Sequence, residues 1–138
     1  MQSGDILRDI RPVLARILRV EEDAVQLGAL LSDDLGAESI DLAEIQIVLE
    51  EAYGIKAAEE YIAAYLMGGL VPSEFYDSER NVTPEGLQRL TDVVSGFDAS
   101  KWPEGELNMY NLWRVLTVDA LCAYVCHALL NPPVEPSR

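Results

Sequence analysis

Hydrophobic positions recur every three or four residues along most of this chain, the repeat that lines one face of an α-helix. Ile6, Ile10, Val13, Leu14, Ile17 and Leu18 mark such a face over residues 5–19. Pro12 falls inside it, so the helix either begins near Arg11 or kinks there. Residues 20–36 form a long connection with apolar anchors at Val25, Leu27, Leu30, Leu31 and Leu35. A second helix opens at Ser39 and runs to about Tyr53, with Leu42, Ile45, Leu49 and Ala52 on its stripe and Gly54 as its stop. A third spans Ala57 to Met67 and ends at Gly68-Gly69. Residues 71–82 carry Pro, Ser, Asp and Asn and read as irregular. Thr83-Pro84-Glu85 starts a fourth helix, a hydroxyl cap with proline at the first position. Its face is Leu87, Leu90, Val93 and Val94, and Gly96 ends it. Residues 97–107 read as loop and 109–116 as a short helical turn bearing Tyr110 and Trp113. Thr117 caps a last helix with Val118, Leu121, Cys122, Val125 and Leu129 on one face. A period of two is nowhere sustained, so the fold class is all-α, a small helical bundle.

At 138 residues the chain reads as a single domain over 1–138, with a loose tail at 131–138 where NPPVEPSR ends it. Twenty-four acids against ten bases leave a net charge of −14. Such a surface repels phosphate backbones and anionic lipid, which argues against nucleic-acid binding and membrane insertion. The acid is concentrated: between Val20 and Ile55 there is no Lys or Arg, yet ten Asp and Glu. Protein partners with basic patches are its natural complement. Two cysteines, Cys122 and Cys126, cannot make a disulfide framework, and no signal peptide or membrane span is evident, so a cytoplasmic monomer is expected. Cys122, Cys126 and His127 share one helix but lack a fourth ligand, so no metal is expected.

The informative string is DLGAESIDLAEIQIVLEEAYGI, Asp34 to Ile55. A serine between a Gly-containing turn and a helix is commonly an N-cap. A hydrolase nucleophile elbow would need glycines flanking the serine, a strand before it and a histidine partner; here the flanks are Glu38 and Ile40 and the one histidine is His127. An EF-hand over Asp33–Glu44 fails, because Leu35 and Ala37 stand where oxygen ligands are needed and Glu38 stands at the glycine position. No nucleophile–base pair supports an enzyme. A modification site is a further reading beside the N-cap, and it comes from the resemblance that the same residues carry.

DLGAESIDLAEI closely resembles the attachment motif of acyl carrier proteins, usually Asp-Leu-Gly-x-Asp-Ser-Leu at the start of their second helix. ILRVEEDAVQLGALLSDDLG is similar to the end of that family's first helix and its long loop, LEEAYGI to the end of its second helix, and LTVDALCAYVCHAL to its last helix. The resemblance covers residues 5–56 and 117–130, with Glu38 for the usual Asp and Ile40 for the usual Leu. It implies an acyl-carrier-like bundle that is no enzyme, with Ser39 carrying 4′-phosphopantetheine from coenzyme A as a phosphodiester. The arm's thiol would hold acyl intermediates as thioesters for fatty-acid, polyketide or related biosynthetic enzymes. The implied partners are a phosphopantetheinyl transferase and acyl-chain synthase, ligase or transferase enzymes with basic docking patches. Asp41, Glu44 and Glu51 share a helix stripe with the apolar Ile47 and, with Glu38 beside the serine, form the expected docking surface.

The departure from the family is residues 57–116, an inserted helical subdomain holding both tryptophans, Trp102 and Trp113. Part of it, Tyr110 to Leu116, stands where the family has a small third helix. The insertion covers or enlarges an acyl groove, recognises one dedicated enzyme, or is neutral elaboration. It also keeps open a rival reading, a carrier-like adaptor module that is never modified.

Overall fold

In the computed structural model, which describes residues 3–131, helices alone form the regular structure. They are α1 (Ser3–Leu18), α2 (Ser39–Tyr53), α3 (Glu59–Leu66), α4 (Pro72–Phe75), α5 (Pro84–Val93) and α6 (Val118–Leu130). Short 3-10 turns occupy Glu22–Ala24, Ala99–Lys101 and Leu112–Val115. Three isolated antiparallel bridges, Leu30 with Thr117, Tyr76 with Val82 and Asn81 with Asn108, tie loops together without making a strand. The tail expected over 131–138 lies, from Pro132 onward, outside the described residues.

α1 begins at Ser3 rather than near Arg11 and runs through Pro12. Pro12 sits on the exposed side, so its missing N–H removes one intrahelical bond without disturbing a buried contact. Ile6, Ile10, Leu14 and Ile17 form the buried stripe of α1, which packs chiefly on α6 and also on α2. α6 is buried almost all round: Ala120, Tyr124 and Ala128 join Val118, Leu121, Cys122 and Val125 inside. Leu129, expected on that face, is 36% exposed, because the buried side of α6 is centred away from it.

Residues 57–116 close onto the same core. Phe75, Leu90, Val94, Trp102 and Leu107 are buried in one continuous apolar cluster with Leu14, Leu31, Ile45 and Leu121. The segment read as irregular contains α4, whose proline stands at its first position; at four residues it is too short to show a helical period. The cap of α5 is as the sequence suggests: Thr83 Oγ1 accepts from the Gly86 N–H at 3.0 Å and donates to the Glu74 carbonyl at 2.7 Å. Gly86 and Leu90 are its buried residues, and Val94 just beyond it is buried too, while Leu87 and Val93 are half-buried. α5 approaches α4 so closely that a Cβ on Gly86 would lie 2.8 Å from the Phe75 carbonyl oxygen.

Phe75 and Trp102 belong to the same core as α1 and α6, and the half-buried Trp113 packs against it, so unfolding should be one transition. Phe75→Ala should lower stability by about 3–5 kcal/mol. In urea, tryptophan fluorescence and far-ultraviolet circular dichroism should give coincident midpoints in wild type and variant. Separate midpoints would show that residues 57–116 melt independently.

Candidate functional site

The chain reaches Ser39 through a turn whose backbone groups are nearly all engaged. The Leu30 N–H donates to Asp34 Oδ2 at 2.7 Å, and the N–H groups of Asp34 and Leu35 both return to the Leu30 carbonyl at 3.1 Å. Gly36 takes φ +75, in the left-handed region that glycine occupies without strain, and its N–H bonds the Ser32 carbonyl at 2.9 Å. The Ala37 N–H then donates to the Leu31 carbonyl at 2.8 Å. Leu31, Leu35 and Ala37 are buried, which plants the turn in the core and leaves Glu38, Ser39 and Ile40 at the surface.

Ser39 is the first helical residue of α2, and the cap is Glu38. Here the reading of Ser39 as N-cap is corrected. The Glu38 side chain accepts from the backbone N–H of Asp41, and Asp41 Oδ2 accepts from the Glu38 N–H at 2.9 Å. This reciprocal capping box satisfies the helix start with two carboxylates and leaves the serine hydroxyl out of the capping. Among the described residues no hydrogen bond engages the Ser39 side chain. It is an exposed hydroxyl on a fixed backbone, at the positive end of a 15-residue helix. Those are the requirements for a phosphodiester link: an accessible oxygen and a field that tolerates a permanent negative charge.

The other expected site residues fall on the same helix in two groups. Glu44, Ile47 and Glu51 are exposed together, with Ile47 56% exposed between the carboxylates and Ile40 74% exposed one turn before Glu44. Glu38 and Asp41 have their carboxylates tied into the capping box, and Asp41 is half-buried. Glu50 faces elsewhere, its Oε2 accepting from the Ala57 N–H at 2.8 Å and fixing the chain after α2. Two further residues support the site. Asp34 was visible in the motif string, but its bond to Leu30 was not. Arg114 lies 3.3 Å from Asp33 and 3.8 Å from Glu106, with its guanidinium over the Trp102 ring. Asp33 is 81 residues away, so no local pattern announces that pairing.

Beside α2 a cavity of about 230 Å³ opens between that helix, α3 and the turn around residue 112. Leu42, Gln46, Ile62, Leu66, Leu112 and Trp113 line most of it. Cys122 and Cys126 lie four residues apart on α6, the first buried and the second half-buried. The His127 ring rests against Tyr65 at 5.0 Å. Burial, with Asp119 adding to it, pushes the Cys122 thiol up to about 12.

Comparison with known proteins adds a family and relatives. The family described as "Phosphopantetheine attachment site" matches residues 8–65. The chain is similar to the acyl carrier protein of Treponema denticola, 39% identical over 56 residues, which are 41% of this chain and 72% of that protein. It is also similar to the acyl carrier protein of Campylobacter hominis, 36% identical over 52 residues, 38% of this chain and 66% of the relative. The chain thus matches about two thirds of the length of these relatives, and the family match ends within α3.

Two measurements follow from this geometry. Since Ser39 is not the cap, Ser39→Ala should change the urea stability by no more than about 0.5 kcal/mol. Asp41→Ala, which breaks the capping box, should cost about 1 kcal/mol; a larger loss for Ser39→Ala than for Asp41→Ala would contradict the assignment. At pH 8 a maleimide should label Cys126 and spare Cys122. Cys122 stays protonated well above that pH, because its raised pKa favours the thiol, and becomes reactive only as pH nears about 12 or the chain unfolds.

Proposed function

The chain belongs to the acyl carrier protein family, and from that premise we propose that Ser39 is its single attachment point for 4′-phosphopantetheine. The family's prosthetic group is covalent and supplies a terminal thiol able to hold an acyl group as a thioester. What this chain contributes is position. The Asp34–Ala37 turn and the Glu38–Asp41 capping box hold the backbone on either side of Ser39, while its hydroxyl stays exposed and unengaged. That combination carries the proposal: a rigid frame around one free nucleophilic oxygen at a helix N-terminus. No side chain in the frame does acid–base chemistry on cargo, so the protein acts as a carrier and the chemistry belongs to its partners.

The partners we propose are a phosphopantetheinyl transferase and acyl-processing enzymes of fatty-acid, polyketide or related biosynthesis. They would dock basic patches on Glu44, Ile47 and Glu51, the exposed part of α2. Charges at a rim chiefly raise on-rates and choose partners, which suits brief successive encounters. Two unpaired cysteines support a reducing cytoplasm as the working compartment. We also propose that residues 57–116 elaborate the carrier core formed by 5–56 and 117–130. They supply both α3 and the turn around residue 112, two of the three sides of the cavity beside α2, which supports a role in sheltering cargo.

Incubation with coenzyme A and a broad-specificity transferase should add the mass of one phosphopantetheine to the intact protein and none to Ser39→Ala. An unmodified wild type, under conditions that convert another carrier, would favour the unmodified adaptor instead. Glu44→Lys with Glu51→Lys should lower the transferase's kcat/KM at low salt. The deficit should shrink as added salt screens the wild-type attraction over about 8–10 Å. Equal rates for both proteins at low ionic strength would remove the stripe from the mechanism.

A further inference from the structure

Resting on the carrier reading of Ser39, we infer that the cavity beside α2 is matched to a short, uncharged acyl group. Long chains and carboxylate-ended groups fall outside its fit.

Ser39, Leu42 and Gln46 stand at offsets of three and seven, so they share one face of α2. Leu42 and Gln46 both line the cavity, about 4.5 and 10.5 Å down the helix axis from Ser39 at the α-helical rise. An arm leaving Ser39 along that face therefore runs directly over the opening. Inside, the walls are Leu42, Ile62, Leu66 and Leu112, each no more than 4% exposed. The volume of about 230 Å³ is below the roughly 300 Å³ at which pockets begin to enclose drug-sized ligands. Leu66 and Leu112 belong to the main apolar cluster, so a long chain could go deeper only by parting a close-packed core. Length is thus limited by the packing behind the cavity, and the third wall that shapes it comes from Met109, Leu112 and Trp113.

Charge limits the cargo in a second way. The lining includes Glu59 and Glu60, in the exposed first turn of α3, and no Lys or Arg. A carboxylate at the end of a short acyl group would meet two like charges and no cation. That is discrimination by repulsion, added to the apolar fit of the walls.

The test loads the apo protein from coenzyme A thioesters, using holo protein as reference and intact mass to verify each product. Hexanoyl loading should raise Tm by roughly 3–6 °C over holo, the scale expected when a few methylenes leave water in a domain of this size. It should also change Trp113 emission. Palmitoyl and succinyl loading should raise Tm by less than half as much. Ala63→Phe, which fills the cavity from its half-buried wall, should abolish the hexanoyl gain while Ser39 is still modified. Glu59→Gln with Glu60→Gln should bring succinyl close to hexanoyl. If palmitoyl or succinyl stabilises as much as hexanoyl, or hexanoyl gives no gain, the cavity assignment is overturned and the carrier reading stands. If the wild type accepts no arm at all, it is the carrier reading that fails.

Discussion

Three main-chain hydrogen bonds between the long connection and the start of α6 hold the rest of the structure in register. The Leu31 N–H donates to the Leu116 carbonyl at 3.0 Å, Val118 to Ala29 at 2.9 Å and Asp119 to Leu27 at 2.9 Å. A helix start leaves its first N–H groups without intrahelical partners. In α6 the first two find backbone carbonyls of the connection, and the third, Ala120, finds Thr117 Oγ1 at 3.0 Å. The connection therefore completes the last helix, and the last helix immobilises the connection. With residues 27–31 fixed, Leu31 and Leu35 drop into the core, and the turn delivers the chain to Glu38 in one orientation. Exposure of the Ser39 hydroxyl thus depends on bonds made far along the sequence.

A net charge of −14 suggests one large repulsive surface, but around Ser39 most carboxylates have local work. Asp34 satisfies the Leu30 N–H, Glu38 and Asp41 close the capping box, Glu50 holds the Ala57 N–H, and Asp33 meets Arg114. All of these but Asp33 compensate backbone donors at turns and helix ends, where an ionised acceptor bonds more strongly than a neutral one. Among the described residues, Glu44 and Glu51 on α2 make no such bond. The proposed docking stripe is therefore narrower than the charge count implies, with the exposed Ile47 between its two carboxylates.

Several parts of this arrangement could be read in the sequence because local chemistry decided them. The bounds of α2 follow from its period and from Gly54, which sits at φ +67 just beyond the helix. Thr83 and Thr117 cap as hydroxyls usually do, each accepting an N–H three residues on. The cap of α2 is not legible in the same way, because serine is the commoner capping residue, while here the Glu38–Asp41 pair does that work reciprocally. The burial of α6 on several sides was hidden for a different reason. Tyr124 counts as polar at its tip, yet its ring meets Tyr65 edge-on at 5.5 Å and its hydroxyl donates to the Lys56 carbonyl. Only tertiary packing makes that face an inner one. The cavity was equally illegible, since its walls come from three parts of the chain.

Why the bundle tolerates so long a segment between α2 and α6 follows from where that segment begins and ends. Ile55 and Ala57 at one end and Val115 and Leu116 at the other are buried in the common core, so the core itself positions both ends. The entropic cost of closing a loop grows only with the logarithm of its length, about 0.6 kcal/mol for each doubling. Against that slow increase, Phe75, Leu90, Val94, Trp102 and Leu107 each remove a large apolar side chain from water, at roughly 1.5–3 kcal/mol apiece before the entropy of ordering the segment. Ordering is also local: α4 and α5 are joined through Thr83 and the Phe75 carbonyl, and Arg89 reaches back to the Gly68 carbonyl at 2.8 Å. A segment that packs on itself and on the core can fold with the bundle at little entropic cost in closure. It then leaves the connection and α2 free to position Ser39, while its last turn supplies the wall that shapes the cavity.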